Sequence, residues 1–157
     1  SNRSLAQMIL NYWYKYPESM ISPLPELTQL VKIVPLIKER IKTLSEVKPL
    51  INFFFSDDLQ YKHEDLIQKG MDVDSTKFAL ENVIANLLNI QQFDEPTIEA
   101  NLRSAAKDME FKPQQLFGLL RVALTGLEVS PPLFKSIEIL GKKTSLKRLD
   151  KAISKLQ

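Results

Sequence analysis

Apolar residues return along this chain at intervals of three and four almost from end to end, the period of an α-helix that buries one face. Leu5, Met8, Ile9, Tyr12 and Tyr16 form a first stripe. Leu27, Leu30, Val31, Val34, Ile37 and Ile41 form a second, and Pro35 is expected to kink or divide that helix because it has no amide hydrogen to donate. Pro49 raises the same question for the segment that runs to Phe53, Phe54 and Phe55. A looser stretch from Ser56 to Asp74 holds Asp57 and Asp58 and a short helical candidate over Glu64 to Lys69, closed by Gly70.

The second half is patterned more sharply. Ser75 is placed to cap a helix with Leu80, Val83, Ile84, Leu87 and Leu88 on one face. Asp94 caps the next, with Pro96 in its first turn and Ile98, Leu102, Ala105, Ala106 and Met109 inward. Pro113 opens a third, with Leu116, Leu119, Leu120 and Ala123 inward and Gly126 as its stop. Ser130 and Pro131 start a fourth that buries Leu133, Phe134, Ile137 and Leu140 and ends at Gly141; a fifth, from about Thr144, buries Leu146, Leu149, Ile153 and Leu156. No stretch alternates as a strand would. The pattern predicts an all-α, multihelical bundle in two small lobes, 1–70 and 71–157.

Composition narrows what such a bundle can do. At 157 residues and 44% hydrophobic content the chain can build its own core, and the absence of cysteine removes disulfides, thiolate metal sites and a thiol nucleophile. No apolar run approaches the ~20 residues of a membrane span. Together with the lack of cysteine this points to the cytoplasm. The opening Ser1-Asn2-Arg3 lacks the apolar core of a signal peptide and reads as the start of a piece excised from a longer chain. Net charge is only +2. Its distribution is less even, because Lys142, Lys143, Lys147, Arg148, Lys151 and Lys155 face a single acid, Asp150, across the last helix.

The inventory for catalysis is thin. The single histidine, His63, sits in a polar run and has no metal-ligand spacing around it. The glycines are too scattered to form a phosphate loop, and Asp57-Asp58 fits a turn or cap better than an acid/base pair. An unrecognised all-α enzyme is therefore the weakest reading.

Three segments carry a specific likeness. Leu119-Leu120-Arg121-Val122-Ala123-Leu124-Thr125-Gly126, then Val129-Ser130-Pro131-Pro132-Leu133-Phe134 and Ile139-Leu140-Gly141, resemble the C-terminal anticodon-binding region of bacterial-type glutamyl-tRNA synthetases. Val34-Pro35-Leu36-Ile37-Lys38-Glu39-Arg40-Ile41-Lys42-Thr43-Leu44 and Phe53-Phe54-Phe55-Ser56-Asp57 continue the likeness in the same order. The likeness spans at least residues 31–157, and residues 5–30 look like the first helix of the same region. It implies the anticodon-binding fold of class I aminoacyl-tRNA synthetases and a tRNA(Glu) anticodon stem-loop as partner. The catalytic domain of that family carries a histidine-containing signature and a lysine-serine signature. Neither is here; Lys142-Lys143-Thr144-Ser145 resembles the second only superficially. The expectation is a monomeric piece that binds tRNA without charging it and holds no cofactor itself. ATP and L-glutamate belong to a catalytic domain elsewhere on the parent chain.

The resemblance also implies a site. Arg121 lies ~140° around a helix from Leu116, so it should project from the apolar stripe toward solvent, where the family uses an arginine on the anticodon loop. A planar guanidinium suits that task because it can read a base edge or hold a phosphate. Ser130, Pro131 and Leu133 match positions that seat an anticodon base, and the prolines form a rigid apolar ledge. Arg40 matches the arginine with which enzymes that discriminate glutamate tRNA from glutamine tRNA read the third anticodon base. Without the resemblance, Arg121 would read as a surface arginine, Arg40 as an exposed neighbour of Leu36 and Leu44, and Leu133 as core. Lys142, Lys143, Lys147 and Arg148 are candidates for the RNA stem backbone, where contacts position without specifying sequence. The competing reading is a helical protein-interaction module that kept the fold without RNA binding, docking through an exposed Tyr12-Trp13-Tyr14 patch.

Overall fold

The structure is a computed structural model that describes residues 1–157. Every regular element is helical, with no strand, and no helix is long and apolar enough to cross a membrane. The chain divides into two compact units, Ser1–Asp58 and Leu59–Gln157. This boundary lies twelve residues before the expected one at 70/71. The short turn of helix at His63–Leu66 explains the shift, because its Leu66 is fully buried in the core of the second unit.

In the first unit, α1 (Asn2–Lys15) starts under a Ser1 cap whose hydroxyl accepts from the Ser4 amide at 3.1 Å. It packs on α2 (Leu27–Ile37). The face that α1 buries is Ala6, Ile9, Leu10 and Trp13. The buried stripe is therefore displaced from the expected one: Met8 and Tyr16 are exposed, and Trp13, the centre of the supposed docking patch, is fully buried. The cause is visible in the residues. Apolar side chains at 5, 6, 8, 9, 10, 12 and 13 occupy more than one face, and only packing against α2 selects among them.

Pro35 does not divide α2: it falls in the last turn, and the helix ends two residues later at Ile37. Ile41 is thus outside the helix. A carboxylate organises the next turn: Glu46 accepts from the amides of Lys42 and Thr43, which holds its carboxyl below the usual range and leads the chain into α3 (Val47–Ile51). Pro49 is tolerated there because it stands in the first turn, where amides have no helical partner.

The second unit is built from α4 (Val73–Leu88), α5 (Glu95–Asp108), α6 (Pro113–Thr125), α7 (Leu133–Leu140) and α8 (Lys142–Lys155). Its core is the interleaving of Leu66, Leu80, Val83, Leu87, Ile98, Leu102, Leu116, Leu119, Leu120, Ile137 and Leu149, all fully buried. α4 lies against α8, α5 against α7, and α6 against α8. The cap of α4 is Asp72 rather than Ser75: the carboxylate accepts from the Ser75 amide at 2.8 Å and the Ser75 hydroxyl accepts from the Asp72 amide at 2.9 Å. Ser75 occupies the third helical position of a capping box, which lengthens the helix. Leu88, expected inward, is 58% exposed.

Asp94 caps α5 as expected, accepting from the Thr97 amide at 3.1 Å. Glu138 of α7 accepts from the Glu95 amide at 2.8 Å and from Lys135, so one carboxylate fastens α7 to the start of α5.

Candidate nucleic-acid interface

The candidate site in the second unit is the passage from α6 to α7. Gly126 stops α6 in the left-handed conformation, φ 72°, and its amide returns to the Val122 carbonyl. Thr125 reinforces the turn by donating its hydroxyl to the Arg121 carbonyl at 2.6 Å and accepting from the Leu127 amide at 3.0 Å. Arg121 leaves the preceding turn half-buried rather than fully projected, and its Nε donates to Ser130 Oγ at 3.1 Å. The Ser130 hydroxyl donates in turn to the Pro131 carbonyl at 2.8 Å. The structure thereby joins two of the expected site residues, Arg121 and Ser130, into one hydrogen-bonded unit across the turn.

The ledge is arranged differently from expectation. Ser130, Pro131 and Leu133 are buried, and the exposed members of the segment are Glu128, Val129 and Pro132. Ser130 does not cap α7. That helix begins at Leu133 behind Pro132, and the Ser136 amide and hydroxyl both donate to the Pro132 carbonyl. With Leu133 inward at the first helical position, Pro131 and Ser130 are drawn in behind it.

The basic face of α8 also resolves into two roles. Arg148 is buried and donates from its guanidinium to the Leu124 carbonyl at 2.7 Å, closing the C-terminal end of α6. It is a structural group, not a surface cation. The sequence held the signal, because 145, 148, 149 and 152 share one helical face and Ser145, Leu149 and Ala152 are all buried. Lys142 caps the end of α4, donating to the Leu88 and Ile90 carbonyls with its ammonium over the Phe93 ring. Lys143, Lys147 and Lys151 are exposed at a spacing of four, and Lys155 stands over the Tyr61 ring.

Arg40 belongs to the first unit. It is exposed in the turn that follows α2, its amide bonded to the Ile37 carbonyl. It is therefore not the helical neighbour of Leu36 and Leu44 that periodicity suggested. Elsewhere, a polar groove of about 440 Å³ lies between Gln68-Lys69-Gly70 and the start of α6, floored by Gln115, whose side chain accepts from the Lys112 amide and donates to the Lys69 carbonyl. It contains no acid, nucleophile or metal-ligand cluster. His63 is exposed beside Glu64.

A family model described as "Anticodon binding domain" matches residues 4–153. The chain belongs to that family. The anticodon-binding domain is 42% identical over 125 residues to the glutamate-tRNA ligase of Dehalococcoides mccartyi, covering 80% of this chain and 26% of that protein. It is 43% identical over 131 residues to the glutamate-tRNA ligase of Roseiflexus castenholzii, covering 83% and 26%. It thus spans about a quarter of the length of these relatives. Among solved structures, a glutamate tRNA ligase from Elizabethkingia meningosepticum aligns with 99% of the domain and 31% of its own chain, at TM-score 0.75 and 20% identity. That likeness is one of fold: this all-helical chain aligns with about a third of that ligase.

Proposed function

We propose that this domain grips the anticodon stem-loop of tRNA(Glu) and belongs to a longer, cytoplasmic, monomeric chain whose catalytic domain uses ATP and L-glutamate. The family match over residues 4–153 carries the reading. Arg121, oriented through Ser130, supplies a planar set of donors at the α6–α7 turn. The Ser130, Pro131 and Leu133 segment seats an anticodon base, and Arg40, exposed on its turn, reads the third anticodon position. In the parent chain, correct anticodon contacts would favour productive placement of the distant acceptor end. The protein-docking alternative loses its centre with the burial of Trp13.

The test measures binding of stem-loops carrying glutamate and glutamine anticodons to the domain and to Arg40→Gln. A preference for the glutamate loop that falls as salt rises, and that is lost in Arg40→Gln, is expected. Equal affinity for both loops in the parent would remove the discriminating role of Arg40. Equal affinity for an unrelated stem-loop would remove the tRNA(Glu) assignment altogether.

A further inference from the structure

Of the basic residues on α8, Arg148 and Lys142 are occupied by helix-end carbonyls and Lys155 by the Tyr61 ring. Lys143, Lys147 and Lys151 stand on the outer side, and all three are exposed. Four residues advance an α-helix by about 6 Å and turn it only about 40° past a full revolution, so the three form one row along α8. Asp150 is the single acid of that helix. The row works against the stability of its own helix. Like charges one turn apart repel each other, and Lys143 stands in the first turn, where the helix dipole is positive and no acid offsets it. On α5 the comparable exposed row alternates, with Glu99 pairing to Arg103 one turn on. A row of one sign is explained when an anion covers it.

The composition of this face narrows the ligand. Leu146, Leu149, Ile153 and Leu156 of α8 pack into or against the core, so the face has no apolar side chain to insert into a lipid surface. Nor does it hold an arginine fork to read a base edge, because Arg148 is turned inward. Flexible ammonium groups at regular intervals suit a polyanion whose charge also repeats at regular intervals, a sugar–phosphate backbone. The place fits as well. Arg148, next to Lys147 and one turn before Lys151, bonds the Leu124 carbonyl at the end of α6, so the row passes the point from which the α6–α7 turn departs. We propose that Lys143, Lys147 and Lys151 make a second contact with the bound RNA, following the phosphates of its stem without reading sequence. This rests on the reading of the domain as an anticodon stem-loop binder and extends it from the loop to the stem.

The experiment uses the full 157-residue chain and labelled stem-loops carrying glutamate and glutamine anticodons, with affinity measured across a salt series. A Lys143→Gln, Lys147→Gln, Lys151→Gln variant is compared with a charge-matched one, Lys69→Gln, Lys107→Gln, Lys112→Gln. The α8 variant is expected to bind about tenfold more weakly at low salt, and the slope of log affinity against log salt should flatten by about one for each lysine removed. Both stem-loops should lose affinity by the same factor, so the preference between them survives. Its melting temperature should not fall. Unchanged affinity, or an equal loss in the charge-matched variant, overturns this inference and leaves the anticodon reading standing. A loss confined to one anticodon would mean base reading and overturns it as well. A parent that binds polyglutamate through this row but no stem-loop would make α8 a surface for an acidic protein. That result, like any failure of the parent to bind the stem-loops, overturns the anticodon reading and this inference with it.

Discussion

Single residues at the α6–α7 turn carry obligations that their neighbours cannot share. Gly126 has φ 72°, where a side chain is strained, although a Cβ there would meet nothing closer than Leu59 at 3.5 Å. The cost of Gly126→Ala is therefore conformational, not steric, and should be about 1 kcal/mol by denaturant titration. Arg121 shows the limit of helical geometry as a guide. Periodicity correctly takes it off the apolar stripe, but its Nε turns back to Ser130, a partner nine residues on that lies across an irregular turn and therefore has no periodic relation to it. The same limit explains the ledge. Which proline faces outward depends on where α7 begins, and a pair of adjacent prolines offers two candidate starts.

At the scale of elements, helix ends are sealed here by side chains from other helices as much as by local caps. Arg148 of α8 closes α6 and Lys142 closes α4, each replacing carbonyl partners that the helix itself lacks. Arg148→Met keeps the volume but leaves the Leu124 carbonyl buried without this donor, and a loss of about 1–3 kcal/mol is expected in thermal or chemical unfolding. A variant that melted like the parent while losing RNA affinity would instead restore Arg148 to the RNA-facing set. Local caps are the readable ones. Asp94 is legible at its position because aspartate ahead of Glu-Pro is an unambiguous helix start, whereas Asp72, Asp74 and Ser75 offer competing starts within four residues. Asp94→Ala removes the oxygen that accepts from the Thr97 amide and should lower the melting temperature of the domain in thermal unfolding.

Across the whole molecule, the carboxylates that organise both units share a titration behaviour. Glu46 is held below the ordinary 4.5 chiefly by the Thr43 amide, and Asp72 below 3.8 chiefly by the Ser75 amide. Asp94 is lowered by Thr97, and Glu138 by Lys135 and the Glu95 amide. A carboxylate whose folded pKa is depressed stabilises the fold above its unfolded pKa, and that stability is lost as pH falls through the folded value. Melting temperature should thus be flat near neutrality and fall below roughly pH 4.5, with a shallower fall in a Glu46→Gln, Asp72→Asn, Asp94→Asn, Glu138→Gln variant. An equally steep fall in that variant would place the acid sensitivity elsewhere. What the amino-acid order determined alone was the helical class, the five helices of the second unit, most of their inward faces and the family likeness, because period, proline and glycine positions act over a few residues at a time. Tertiary structure decided which face of α1 is buried, where one unit ends and the next begins, that the Leu124 carbonyl of α6 is the partner of Arg148, and that Val129 and Pro132 rather than Pro131 and Leu133 meet solvent. Each of those outcomes depends on what lies opposite a side chain in space, and a one-dimensional pattern does not contain that information.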